Sequence, residues 1–279
     1  MIPELFISAW YGRLGNNIQQ LGNALMLAEL CSIPAIVSIP HPQLGSLSLE
    51  TSATCANRLI TNSSVRSDFF HWDSQKPDRS ILIPYSYIAA NMARVLQNYL
   101  LPHLLPFLSN VRPPGEEVVL HIRAGDIFSK PPGATWDNNY IPNPLEYYRA
   151  LISEFHTIRI VTEASWPSNP VIRSLLQIYP HIQVQSSDVL TDFLTLAQAK
   201  RIISSGVGTF AVAAAMLNSD LETFFYSELF LHEHVNPSFL RHDSCKCYCI
   251  KLKDYRLKSE GWLNTPNQHQ YLLDYQLSL

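Results

Sequence analysis

The sequence predicts an α/β protein built in two parts, each a largely parallel sheet covered by helices. Three observations predict it. Short β-rich runs alternate with helical patterns through most of the chain, the reading expected of strand–helix–strand units. A helix-breaking stretch, Val111-Arg112-Pro113-Pro114-Gly115-Glu116, interrupts that alternation, because each proline lacks an amide donor and restrains the residue before it. The 279 residues are 47% hydrophobic and only 15% charged, enough apolar surface for one large core or two smaller ones.

Taken in order, Leu5-Phe6-Ile7-Ser8-Ala9 reads as a strand followed by a glycine-containing turn. Ile18, Leu21, Leu25 and Ala28 recur at helical spacing, predicting a helix over about 17 to 30. Ala35 to Ile39 returns as a strand, and residues of about 40 to 80, rich in Ser, Asn, Pro and Thr, read as loops on one face of the first part. After the break, Val118 to Ile122 is a buried strand, Leu145, Tyr148, Ile152 and Phe155 mark a helix, and Ile158 to Val161 is the next strand. The alternation continues through Ile182-Gln183-Val184, a helix near 189 to 199, the strand Arg201-Ile202-Ile203, the Ala-rich apolar helix Phe210 to Leu217, and the strand Thr223 to Tyr226. The expected division is a first α/β domain over 1–112, a second over 113–227, and an extension over 228–279 that is polar, Pro-punctuated and left unassigned.

The formal net charge of −3 with scattered lysines and arginines gives no broad footprint for nucleic acid or anionic lipid, so a bound anion must be gripped locally. No basic segment followed by an apolar run opens the chain, and no apolar run reaches the ~18 residues of a membrane span, so a cytoplasmic protein is expected. Five cysteines suit free thiols better than a disulfide framework. Cys245, Cys247 and Cys249 with His232, His234 or His242 form the one candidate metal cluster, but Cys-x-Cys-x-Cys is not a usual zinc spacing and no metal is expected.

Three segments carry candidate chemistry. His121-Ile122-Arg123-Ala124-Gly125-Asp126 ends a strand of a parallel sheet, where ligands bind, and its arginine fork matches phosphate oxygens two at a time. The same residues also suit a structural Arg–Asp ion pair. Ser204-Ser205-Gly206-Val207-Gly208-Thr209-Phe210 lies between a strand and a helix, where small residues expose amides to phosphate or merely cap the helix. Gly12-Arg13-Leu14-Gly15-Asn16-Asn17 is a glycine turn with an arginine, of neither Rossmann nor P-loop spacing. Trp10, Tyr11 and Trp136 are candidate sugar platforms or ordinary packing residues.

In this order and spacing the segments resemble the fucosyltransferase superfamily of bacterial α-1,2-fucosyltransferases, α-1,6-fucosyltransferases and protein O-fucosyltransferases. Gly12 to Asn16 is similar to its G-x-[LF]-G-N-Q loop, His121 to Asp126 to its H-x-R-x-G-D motif, and Pro144-Leu145-Glu146-Tyr147-Tyr148 to the P-x-x-Y-Y that follows. Asp192 to Ser205 resembles the run that leads into a phosphate-binding turn, and Val161-Thr162-Glu163 with Trp166 resembles S-D-D-x-x-W. The pattern departs at Ala124, where a second basic residue is common, at Glu163 for aspartate, and at Gly206 to Ala211 for S-S-F-S-W-W.

The resemblance implies a GT-B fold and inverting, metal-independent transfer of a sugar from a nucleotide-sugar donor to a glycan acceptor, with GDP-fucose as first choice. No Asp-x-Asp motif is present to hold a divalent cation. It assigns Arg123 to the β-phosphate. Ser204, Ser205, Gly208, Thr209 and Phe210 line the phosphate turn, and Glu163 contacts ribose or base. Arg13, Gly15 and Asn16 face the cleft from the other domain. Gly125 and His121 also belong to the donor site, and Asp126 is first choice for general base, with Glu163 and His121 as rivals. The alternatives are a same-fold enzyme using another donor such as UDP-xylose, and a non-catalytic nucleotide or glycan binder.

Overall fold

The computed structural model describes residues 4–51, 64–66, 85–129, 131–133, 140–206, 208–229, 240 and 245–277. Two sheets organise it. The first has the order β3-β2-β1-β4, with β1 (Glu4–Ile7) between β2 (Ala35–Ser38) and β4 (Ser64–Arg66), parallel to both, and β3 (Ser48–Glu50) antiparallel at the edge. The second runs β10-β9-β8-β5-β6-β7, all parallel: β5 (Val118–His121), β6 (Ile158–Val161), β7 (Gln183–Gln185), β8 (Arg201–Ile203), β9 (Thr223–Ser227) and β10 (Lys246–Ile250). Counted from β5, this is the doubly wound order 3-2-1-4-5-6. The fold is the α/β class expected, with two Rossmann-like units.

Helices cover both faces of the second sheet, so β5 and β6 are buried throughout and read in sequence as largely apolar runs, broken by His121 at the end of β5 and by Arg159, which pairs with Glu117, in β6. On one face Val118, Leu120, Ile158, Ile160 and Ile203 pack with α5 (Leu145–Ile152), α6 (Pro170–Ile178) and α10 (Pro266–Asp274). On the other, Val119, Val161, Ile202 and Phe224 share a core with α7 (Val189–Ala197) and α8 (Phe210–Leu217). That core continues without a break into α1 (Leu14–Leu30) and α2 (Tyr85–Val95) of the first unit.

Several elements were not assigned from sequence. A helical stretch runs through α2, a π-turn at Leu96–Leu100 and α3 (Leu101–Leu108), where Pro102 and Pro106 remove backbone donors. α6 begins at Pro170, with Asn169 as its cap. The segment beyond 228 supplies β10, α9 (Leu257–Glu260) and α10, extending the second sheet and its cover. A short α4 (Gly125–Ser129) follows β5. No described helix is long and apolar enough to cross a membrane.

Candidate functional site

β5 and β8 are neighbours, and the helices after them leave to opposite faces: α5 to one core, α8 to the other. This reversal opens a crevice at the carboxyl ends of the two strands. The two strand-end segments singled out from sequence both lie here, and the loop after β1 meets them from the first unit.

Buried amides on α1 hold that loop. Gln20 Nε2 donates to the Ala9 carbonyl (2.8 Å) and Asn17 Nδ2 to the Tyr11 carbonyl (2.8 Å). His41 Nδ1 accepts from the Gln43 and Leu44 amides (3.1 Å each), which leaves Nε2–H to donate to Asn17 Oδ1 (3.0 Å). Burial lowers His41 to a pKa of about 4, keeping it neutral in this role. Trp10 packs its ring edge to face with His41, centroids 4.8 Å apart, and donates to the Ile39 carbonyl, while Tyr11 remains exposed.

Arg13 leaves this clasped loop 63% exposed and reaches the second unit, with Nη2 2.7 Å from Asp126 Oδ2. Arg123, only 13% exposed, grips the same carboxylate from the other side: Nε to Oδ1 is 3.2 Å, and Nη2 lies 2.9 Å from both oxygens. Its guanidinium also lies over the Tyr140 ring, 4.5 Å from the centroid. Asn169 donates to the Arg123 carbonyl (3.1 Å) while its Oδ1 caps α6. Arg123, Tyr140, Asn143, Asn169 and Ser205 line the crevice together. Glu163, at the end of β6, accepts the Ala124 amide (2.6 Å), lies against Gly125, and is 3.9 Å from Arg13 Nη1.

The turn after β8 is divided in orientation. Gly208 has φ +131°, which favours glycine, and Thr209 Oγ1 donates to Asn16 Oδ1 (2.5 Å), joining the units. Gly15 sits directly on the start of α8, and a Cβ there would stand 2.7 Å from Thr209 Oγ1 and 2.8 Å from the Phe210 N and Cα. Ser205 lines the crevice and its Oγ meets His121 Nδ1 at 3.2 Å.

Three expected donor contacts turn inward instead. The Ser204 side chain, on the residue directly after β8, is buried without a partner, while its carbonyl receives Asn143 and Tyr147. His121, the last residue of β5, points into the packing between Ser205 and Phe210; burial lowers its pKa to about 4, only partly countered by Glu163. The Phe210 ring packs against His121 and Phe193. These residues shape the crevice wall from behind.

Tyr140, Asn143 and Asn169 were not singled out from sequence, nor were Gln20 and His41, and Asn17 entered only as the last residue of the glycine turn. Asn169 carried a signal, an Asn-Pro pair at a helix start, as did the paired amides inside the otherwise apolar α1. Trp136, Val207 and His232, His234 and His242 lie outside the described residues.

No protein-family model matches the chain, and no curated protein matches it. Among solved structures it is similar to the E. coli heptosyltransferase WaaC with ADP, at 11% identity and a TM-score of 0.47, covering 88% of this chain and 93% of that one. It is also similar to POFUT1 in complex with GDP, at 11% identity and a TM-score of 0.43, covering 81% of this chain and 98% of that one.

Proposed function

We propose that this chain is a glycosyltransferase that takes a sugar from a nucleotide-sugar donor, L-fucose from GDP-fucose first, to a hydroxyl of a glycan, by inverting, metal-independent transfer. One observation carries the reading. A guanidinium and a small-residue turn at a helix start occupy adjacent strand ends at the switch point of a doubly wound sheet, and a second guanidinium reaches them from the facing unit.

The chemistry follows from that placement. Arg123 and Arg13 engage the diphosphate and neutralise the charge that grows on it as the glycosidic bond breaks. The Ser205 to Thr209 turn and the first amides of α8 receive a phosphate. Asp126 is the proposed general base once phosphate has replaced it on the guanidiniums, with Glu163 as the rival. Residues 1–112 are the proposed acceptor side and 113–227 the donor side, completed by the strand and helices beyond 228.

The test is thermal stabilisation across GDP, UDP, ADP and CMP sugars, followed by a product assay with each binder. Arg123→Ala removes charge-assisted bonds of roughly 1.5–3 kcal/mol each, so transfer should fall about tenfold to a hundredfold per bond lost. Near-normal transfer by that variant excludes the assignment. Stabilisation without product points to a binding module, and a preference for a UDP-pentose to a different donor.

A further inference from the structure

We propose that Asp126 acts as a resident anion: it occupies the seat that a diphosphate takes and so sets how strong an anion must be to enter. The inference rests on reading this crevice as a diphosphate site. Both oxygens of Asp126 are engaged, Oδ1 by Arg123 Nε and Nη2, and Oδ2 by Arg123 Nη2 and by Arg13 Nη2 from the facing unit. The carboxylate thus bridges the only two guanidiniums that meet at the crevice among the described residues, in the fork geometry a phosphate would use.

An entering anion must break these contacts before making its own. A singly charged carboxylate exchanges like for like and gains nothing, whereas a diphosphate offers more oxygens and more charge to the same donors. Arg123 keeps its place when Asp126 leaves, because its guanidinium rests on the Tyr140 ring and its carbonyl is held by Asn169. Arg13 loses its nearer partner across the junction and keeps only Glu163 at 3.9 Å, so donor entry is linked to one of the contacts between the units.

The experiment measures binding of inorganic pyrophosphate by calorimetry to the full chain and to Asp126→Asn, Asp126→Ala and the double variant Arg123→Ala/Asp126→Ala. Each is first shown to be folded by its thermal transition, and either single variant suffices. With the resident anion gone, affinity should rise about tenfold, and the rise should vanish in the double variant. Unchanged or weaker binding by the folded single variants overturns the inference while leaving the donor reading intact. Tighter pyrophosphate binding by the single variants, with no transfer by the parent chain from any nucleotide sugar, supports the inference and overturns the donor reading. Absence of binding to every variant and to the parent overturns both.

Discussion

Gly15→Ala tests the junction on which the site depends. Gly15 is the second residue of α1, and the added methyl carbon would stand 2.8 Å from backbone atoms of Phe210 and 2.7 Å from Thr209 Oγ1. Backbone cannot swing aside as a side chain can, so α1 and α8 must part by several tenths of an ångström. Overpacking of this kind costs about 1–3 kcal/mol, and alanine recovers at most about 1 kcal/mol of helix propensity so close to a helix end. The net is a loss of about 1–2 kcal/mol, which for a chain of this size lowers Tm by roughly 2–4 °C. Nucleotide binding should weaken as well, because Asn16 and Arg13 move with the start of α1. Gly22→Ala is the internal comparison: it lies on the same helix, but its nearest obstacle is the Met92 side chain, which can rotate, so its Tm should stay within about 2 °C of the parent. Differential scanning calorimetry with GDP and UDP titrations reads both. A Gly15→Ala protein as stable and as tight-binding as the parent would refute the contact between α1 and α8.

Two further outcomes follow from the buried polar groups. His121 has a folded pKa of about 4 against an ordinary 6.5, so between these values the unfolded chain binds a proton that the folded chain refuses. Stability should therefore be full above pH 6.5 and decline as the pH falls toward 4, by at most about 3 kcal/mol from this group; urea midpoints should show a shallower acid loss in His121→Gln, and an identical loss would remove His121 as its source. Asn169→Ala deletes both the α6 cap and the bond to the Arg123 carbonyl, lowering stability by about 1–2 kcal/mol and nucleotide affinity with it. Asn169→Ser should restore the cap and hence Tm, but not affinity, and recovery of both would leave no positioning role for the amide.

The central strands of the second sheet were legible because burial on both faces leaves mostly apolar residues, as in Val118-Val119-Leu120 and in Ile158, Ile160 and Val161. α8 was legible for the same reason, being buried almost all round. The helical stretch 85–108 was not, since Pro102 and Pro106 break the pattern that periodicity relies on, and the π-turn shifts its register. β10 was missed because an edge strand with exposed side chains carries no burial signal. At the site, Arg13, Asn16, Arg123 and Asp126 were found by residue type and position along the chain. Which way Ser204 and His121 point depends on the backbone just after β8 and on strand alternation at the last residue of β5, and a one-residue difference there exchanges crevice for core. Tyr140 and Asn143 become wall residues only through the path taken between α4 and α5, which no local pattern encodes.

α8 has no polar face of its own. Its residues from Ala211 to Leu217 are enclosed by α7 and the second sheet on one side and by α1, α2 and the π-turn of the first unit on the other. Neither half of the chain can therefore finish its interior alone, and the halves are joined by partners nearly two hundred positions apart, Asn16 and Thr209. Such late, distant closures make for slow and all-or-none assembly, in which the crevice comes into being at the same step as the last of the apolar interior.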